Sequence, residues 1–119
     1  MKNQTQRNSL DNNNHGFIPL PRNFTDHPFW NESRKFSRAE AFLDLLFCAR
    51  YGKDPVKIYY IGEEIIVKHG MIITSILKLS CKWCRSDRWI KRMLLILQEE
   101  RLVLLNIIRN KRIEIKILY

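Results

Sequence analysis

Thr74 to Glu100, TSILKLSCKWCRSDRWIKRMLLILQEE, is the stretch on which the fold turns. Apolar residues recur at helical intervals on both sides of a break at Cys84-Arg85, and a hydroxyl residue precedes each run. Two helices joined by a tight turn are therefore expected. The first, over 75–83, starts at a Thr74 or Ser75 cap and turns Ile76, Leu77 and Leu79 inward. The second, over 86–100, starts at Ser86 and packs through Ile90, Met93, Leu94 and Leu97, which share one face. Arg85, Arg88 and Arg92 fall on the opposite face with Lys91 on its flank, so this stripe is expected to point outward. Trp83 and Trp89 are read as packing residues. Asp87 is placed to favour the helix macrodipole.

Charge follows the same stretch. The chain has 119 residues, with 21 Lys and Arg against 12 Asp and Glu, for a formal charge of +9. From residue 82 onward, ten Lys and Arg against four Asp and Glu account for +6 of that excess. Such an imbalance costs self-repulsion unless a polyanion is the usual partner, and nucleic acid ranks ahead of an anionic membrane surface.

After the helix pair, LVLLNIIRNKRIEIKILY reads as a hairpin over 102–119. Ile113, Ile115 and Ile117 alternate with Arg112, Glu114 and Lys116, and Asn110-Lys111 suits a two-residue turn. Arg109, Lys111 and Arg112 cluster at its tip. A helix-turn-helix followed by such a hairpin is the layout of a winged helix, with the tip as the wing.

Before the helix pair, Val56 to Lys68 alternates as a strand and offers Gly62 for a turn, so a first hairpin is expected over 56–68. Ser37-Arg38-Ala39-Glu40 is a capping box that opens a helix over 38–51. Ala39, Phe42, Leu43, Leu46, Phe47 and Arg50 repeat along it at helical spacing, and Gly52 and Pro55 end it. Between residues 17 and 36, Pro19, Pro21 and Pro28 interrupt a run of large apolar side chains, which predicts extended pieces and short turns wrapped on the core. Residues 1–16 hold seven Asn or Gln and almost nothing apolar, and a disordered polar tail is expected there.

The fold class expected is thus α+β, a winged helix-turn-helix of three main helices and two β-hairpins in a single domain over 17–119. At 45% hydrophobic and 28% charged residues, the composition is that of a folded globular protein. No apolar run is long enough to span a bilayer and no signal peptide is evident, so a cytoplasmic location and no membrane partner are expected. Cys81 and Cys84 form a C-x-x-C, but the remaining Cys48, His15, His27 and His69 are scattered, and no metal site, redox centre or other cofactor is expected. The four glycines lie far apart and make no phosphate-cradling loop. No nucleophile, base and carboxylate group together, so an enzyme is not expected.

With these residues placed, the chain resembles the N-terminal winged-helix domain of phage replisome organisers and related DnaD-like replication proteins. The resemblance rests on GFIPLPRNF, SRAEAFLDLLFCARY, IIVKHGMIITS and KLSCKWCRSDRWIKRMLLILQEERLV, and spans roughly residues 16 to 119. The family usually has Gly where Cys84 stands and Gln where Met71 stands. It implies double-stranded DNA binding in the replication of a phage or mobile element, with replication proteins as further partners. Relatives tend to continue into a second domain, whereas this sequence ends at Tyr119, so a helicase-loading activity is not carried over.

The expected interface is Arg85, Ser86, Arg88, Lys91 and Arg92 on the second helix, in a major groove where Arg can bond guanine O6 and N7. Arg109, Lys111 and Arg112 on the wing would meet the backbone or minor groove. About five engaged cations would give a salt slope of roughly −4 to −5 in log affinity. The rival expectation is a protein-interaction or homodimerisation module of a replisome, with outward Leu95 and Ile96 as its support; a small transcriptional regulator is a further alternative.

Overall fold

The computed structural model describes residues 16–119, so the tail expected over 1–16 lies, except for Gly16, outside the described residues. These residues form a 3-10 helix, Arg22–Asp26, and four α-helices: α1 (Pro28–Asn31), α2 (Arg38–Cys48), α3 (Ile76–Trp83) and α4 (Asp87–Glu99). β1 (Val56–Tyr60) and β2 (Glu63–Val67) make a two-stranded antiparallel sheet. β3 (Met71–Thr74), β4 (Val103–Ile108) and β5 (Arg112–Ile117) make a second antiparallel sheet in the order β3-β5-β4. The architecture is α+β and compatible with a winged-helix layout.

The capping box at α2 forms as expected: the Ser37 hydroxyl accepts from the Glu40 N–H at 3.2 Å, and the Glu40 carboxylate accepts from the Ser37 N–H at 2.9 Å. The bond from the Ser37 backbone, then the one from Arg34, hold the Glu40 carboxyl below its ordinary range. The inward face of α2, however, differs from the one that apolar spacing selects. Ala39 and Leu43 are exposed and Phe42, Leu46 and Phe47 half-buried, while the buried positions are Ala41, Asp44 and Leu45. The displacement has a clear cause. A carboxylate sits in the middle of the buried face, and a count of apolar residues passes over it.

Asp44 is only 1% exposed. Its carboxylate accepts from the Trp83 indole at 2.9 Å and the Trp30 indole at 3.3 Å, and pairs with Lys82 at 2.9 Å. One side chain of α2 therefore binds α1 and α3 together, and the lone pairs that burial strips of water are taken up by donors. Desolvation acts to lower the pKa of Lys82, but its bonds to Asp44 and Cys48 outweigh this and leave the ammonium above its ordinary value. Around this centre Phe36, Ala41, Leu45, Leu79, Trp83, Ile90, Met93, Leu94 and Leu97 pack against Ile72, Val103, Ile113 and Ile115 of the larger sheet.

Other expectations are corrected by the structure. The chain leaves helical geometry at Ala49, short of the expected end at 51. Its last carbonyls, on Leu46 and Phe47, and that of Ala49 accept from Arg22 Nη1 at 3.1, 3.1 and 3.0 Å, so a guanidinium from the N-terminal segment does the work assigned to Gly52 and Pro55. Arg50 lies beyond the helix and joins the sheet region, its N–H donating to the Met71 carbonyl at 3.0 Å. The 17–36 segment is more helical than expected, because His27 caps a turn that Pro28 opens.

β3 has no counterpart in the expected hairpins. Four residues are too short to stand out in a sequence, and Met71–Thr74 becomes a strand because β5 offers it a ladder, with Ile72 opposite Ile115 and Thr74 opposite Ile113. The C-terminal hairpin turns over three residues, Arg109 to Lys111, with Asn110 at φ 62 and the Lys111 N–H donating to the Ile108 carbonyl at 3.0 Å.

Replacing Asp44 by Ala strands the Trp83 indole inside the core and is expected to cost about 3 kcal/mol. Asp44→Asn, which keeps an acceptor but not the charge facing Lys82, is expected to cost less. Guanidinium denaturation of the two variants beside the parent chain checks both the size and the order.

Candidate nucleic-acid interface

α3 and α4 each begin on a serine. Ser75 Oγ accepts from the Lys78 N–H at 3.2 Å and Ser86 Oγ from the Trp89 N–H at 3.2 Å. Ser86, expected to meet DNA, is thus occupied as a cap, although it stays exposed. Between the helices Cys84 adopts the left-handed conformation, φ 55 and ψ 45, where glycine is the usual residue. Ser80 secures the turn from below. Its carbonyl accepts from the Arg85 N–H at 3.2 Å, and its hydroxyl donates to the Arg85 carbonyl.

Arg85 does not belong to the outward stripe. It precedes α4, is half-buried, donates from Nε to the Phe36 carbonyl at 2.8 Å, and lays its guanidinium 4.5 Å from the Trp89 ring centroid. Helical spacing extrapolated the stripe one residue too far, into the turn, where the backbone no longer follows that period. Leu77, expected inward, is exposed, whereas Ile76 and Leu79 do face the interior.

Within α4 the packing face is the expected one: Ile90, Met93, Leu94 and Leu97 are buried. Trp83 is fully buried and Trp89 half-buried, their rings edge to face at 6.3 Å. The outward stripe runs Arg88, Lys91, Arg92, Leu95 and Glu99, all exposed. Among the described residues, none of Arg88, Lys91 and Arg92 enters an ion pair. The first two turns of this face are therefore cationic, and the last is apolar and then acidic.

The hairpin tip divides differently from the expectation. Arg109 is exposed and outside any ion pair among the described residues, but Lys111 pairs with Glu63 at 2.6 Å, and Arg112 pairs with Glu63 and, at 2.8 Å, with Glu114. Hydrogen bonds from Lys111 and then Arg112 hold the Glu63 carboxyl below its ordinary value. Two of the three expected wing contacts thus join the β4–β5 hairpin to the turn of β1–β2. Glu63 was not singled out in the sequence, since only topology reveals that an acidic turn meets a basic one 48 residues away. The hairpin is tied to α4 as well, through Gln98, whose side-chain oxygen accepts from the Leu105 N–H at 2.9 Å.

The cysteines gather no wider set. Cys48, Cys81 and Cys84 form no disulfide, and among the described residues no three metal-ligating side chains come together. No helix is long and apolar enough to cross a membrane among those residues.

Because its folded pKa is depressed, Glu63 contributes its brace fully at pH values above the ordinary carboxylate pKa, and the contribution fades as pH falls through the lowered value. Amide protection at Arg109 to Arg112, corrected for the intrinsic pH dependence of exchange, is expected to be lower in acid than at neutral pH while that of α4 stays unchanged. Glu63→Gln is expected to remove that pH dependence.

A scan of protein-family models, a search of curated proteins and a search of solved structures each find no match to this chain.

Proposed function

We propose that this chain is a winged-helix protein that binds double-stranded DNA, with α4 as its recognition helix and the β4–β5 hairpin as its wing. The observation that carries the reading is the stripe of Arg88, Lys91 and Arg92, exposed, outside any ion pair among the described residues, and on a helix whose other side is buried. A solvated helix face ordinarily mixes signs so that neighbours offset one another. Here three cations occupy its first two turns and only Asp87 stands against them. A helix about 10–12 Å across fits the roughly 12 Å major groove of B-DNA. In that position Arg88 and Arg92 reach base edges or phosphates, Lys91 a phosphate, and Arg109 the backbone on the wing side.

Arg85 has no place in this interface, since its guanidinium is committed to Phe36 and Trp89. Lys111 and Arg112 orient the wing and do not grip DNA. Four remaining cations, Arg88, Lys91, Arg92 and Arg109, lower the expected salt slope to about −3 to −4 in log affinity. The resemblance to phage replisome organisers makes replication of a phage or mobile element the preferred setting, with a binding role and no catalysis by this chain.

Fluorescence anisotropy with duplex DNA tests the reading. Arg88→Ala with Arg92→Ala is expected to weaken binding roughly tenfold to a hundredfold and to flatten the salt slope by about 2. Arg85→Ala is expected to lower stability far more than it lowers the affinity of the folded protein. Equal affinity for parent and the Arg88, Arg92 double variant rules the proposal out.

A further inference from the structure

Beside the cationic stripe runs an apolar groove of about 510 Å³, walled by the start of α3, the middle of α4 and the β4–β5 hairpin. Its floor and sides include Ile76, Leu77, Leu95, Leu105, Ile107 and Ile108. Three of these are large and strongly exposed: Leu77 at 71%, Ile107 at 61% and Leu95 at 52%. They come from three separate elements, so this is a contiguous patch and not the scattered exposure common on any surface. The charged residues lining it are Lys91, Lys111 and Arg112, with no carboxylate in the lining. Lys111 and Arg112 are held by Glu63 and Glu114 from outside the lining, whereas Lys91 is outside any ion pair among the described residues.

We propose that this groove docks an acidic amphipathic helix of a partner protein, a function separate from DNA binding. Each part of the groove selects against another occupant. Its floor offers nothing to phosphates, which lose hydration against Leu and Ile with no donor in return. A second copy of the chain carries a formal +9 of its own and brings like charge on balance toward the unpaired Lys91. An added β-strand would pair with the outer edge of β4, but the Leu105 N–H on that edge is already taken by Gln98. A helix with an apolar stripe seats anchors spaced i, i+3 or i+4, and i+7 in the groove. Carboxylates flanking that stripe meet Lys91. Since Lys91 belongs both to the groove and to the DNA stripe, an acidic helix seated here and a duplex on α4 compete for one cation.

The probe is a fluorescein-labelled synthetic peptide of about five helical turns, with Leu at the stripe positions and Glu on either side. A second peptide has the same composition in scrambled order. Anisotropy with the full chain is expected to show the ordered peptide binding about tenfold tighter or more than the scrambled one. The double variant Leu77→Ser, Ile107→Ser removes two exposed anchors and is expected to lose most of that preference while its duplex affinity stays within about twofold of the parent. Equal binding of the two peptides, or an unchanged preference in the double variant, overturns the proposal. Sedimentation equilibrium covers the competing occupant. Self-association of the parent that the double variant loses, with no preference for the ordered peptide, assigns the groove to a second copy and overturns the proposal too. The DNA reading is decided separately by Arg88 and Arg92, so either proposal can fail while the other stands.

Discussion

The buried carboxylate of Asp44 is the constraint on which the helical half of this protein depends. It receives the Trp83 indole from the end of α3, the Trp30 indole from α1 and the ammonium of Lys82. A charge at this depth is tolerated only while its lone pairs are filled. The position of α3 relative to α2 is thereby fixed by a directional contact where apolar packing alone permits sliding. Since α4 follows α3 after a turn of a few residues, Asp44, which places α3, and the bonds that fix that turn together set the attitude of the cationic stripe.

Much of the architecture could be read from the residues because local chemistry and global fold agree there. The capping box at Ser37, the serine caps before α3 and α4, the period-2 pattern of Arg112 to Ile117 and the buried face of α4 are each encoded within a few positions. What escaped the reading is what depends on distant partners. β3 exists because β5 pairs with it, α2 ends where Arg22 from 24 to 27 residues away caps its carbonyls, and the inward face of α2 centres on an acid that no hydrophobicity pattern would place inside.

The candidate interface was legible to the same extent. Arg88, Lys91 and Arg92 stand where helical spacing puts them, because α4 is regular over that span. Arg85 instead lies in the turn and bonds to Phe36, and Lys111 and Arg112 are met by Glu63 from another hairpin. In both cases what engages the cation comes from far away in the chain: the Phe36 carbonyl for Arg85, and Glu63 for Lys111 and Arg112. The apolar groove was hidden for the complementary reason, as Leu77 and Ile107 look like core residues until each is placed on its element.

Phe36 carries a further consequence. Its N–H donates to the Trp83 carbonyl at 3.0 Å and its carbonyl accepts from Arg85 at 2.8 Å, so one residue ahead of α2 grips both ends of the α3–α4 turn. These bonds join positions 47 and 49 residues apart. Contacts of such long sequence separation close late, after the entropy of the intervening loop has been overcome. The two helices can therefore form early from local signals, but the angle between them is set only when the N-terminal segment arrives. During synthesis Phe36 has already left the ribosome when the turn emerges, so the long-range bonds need only the docking step.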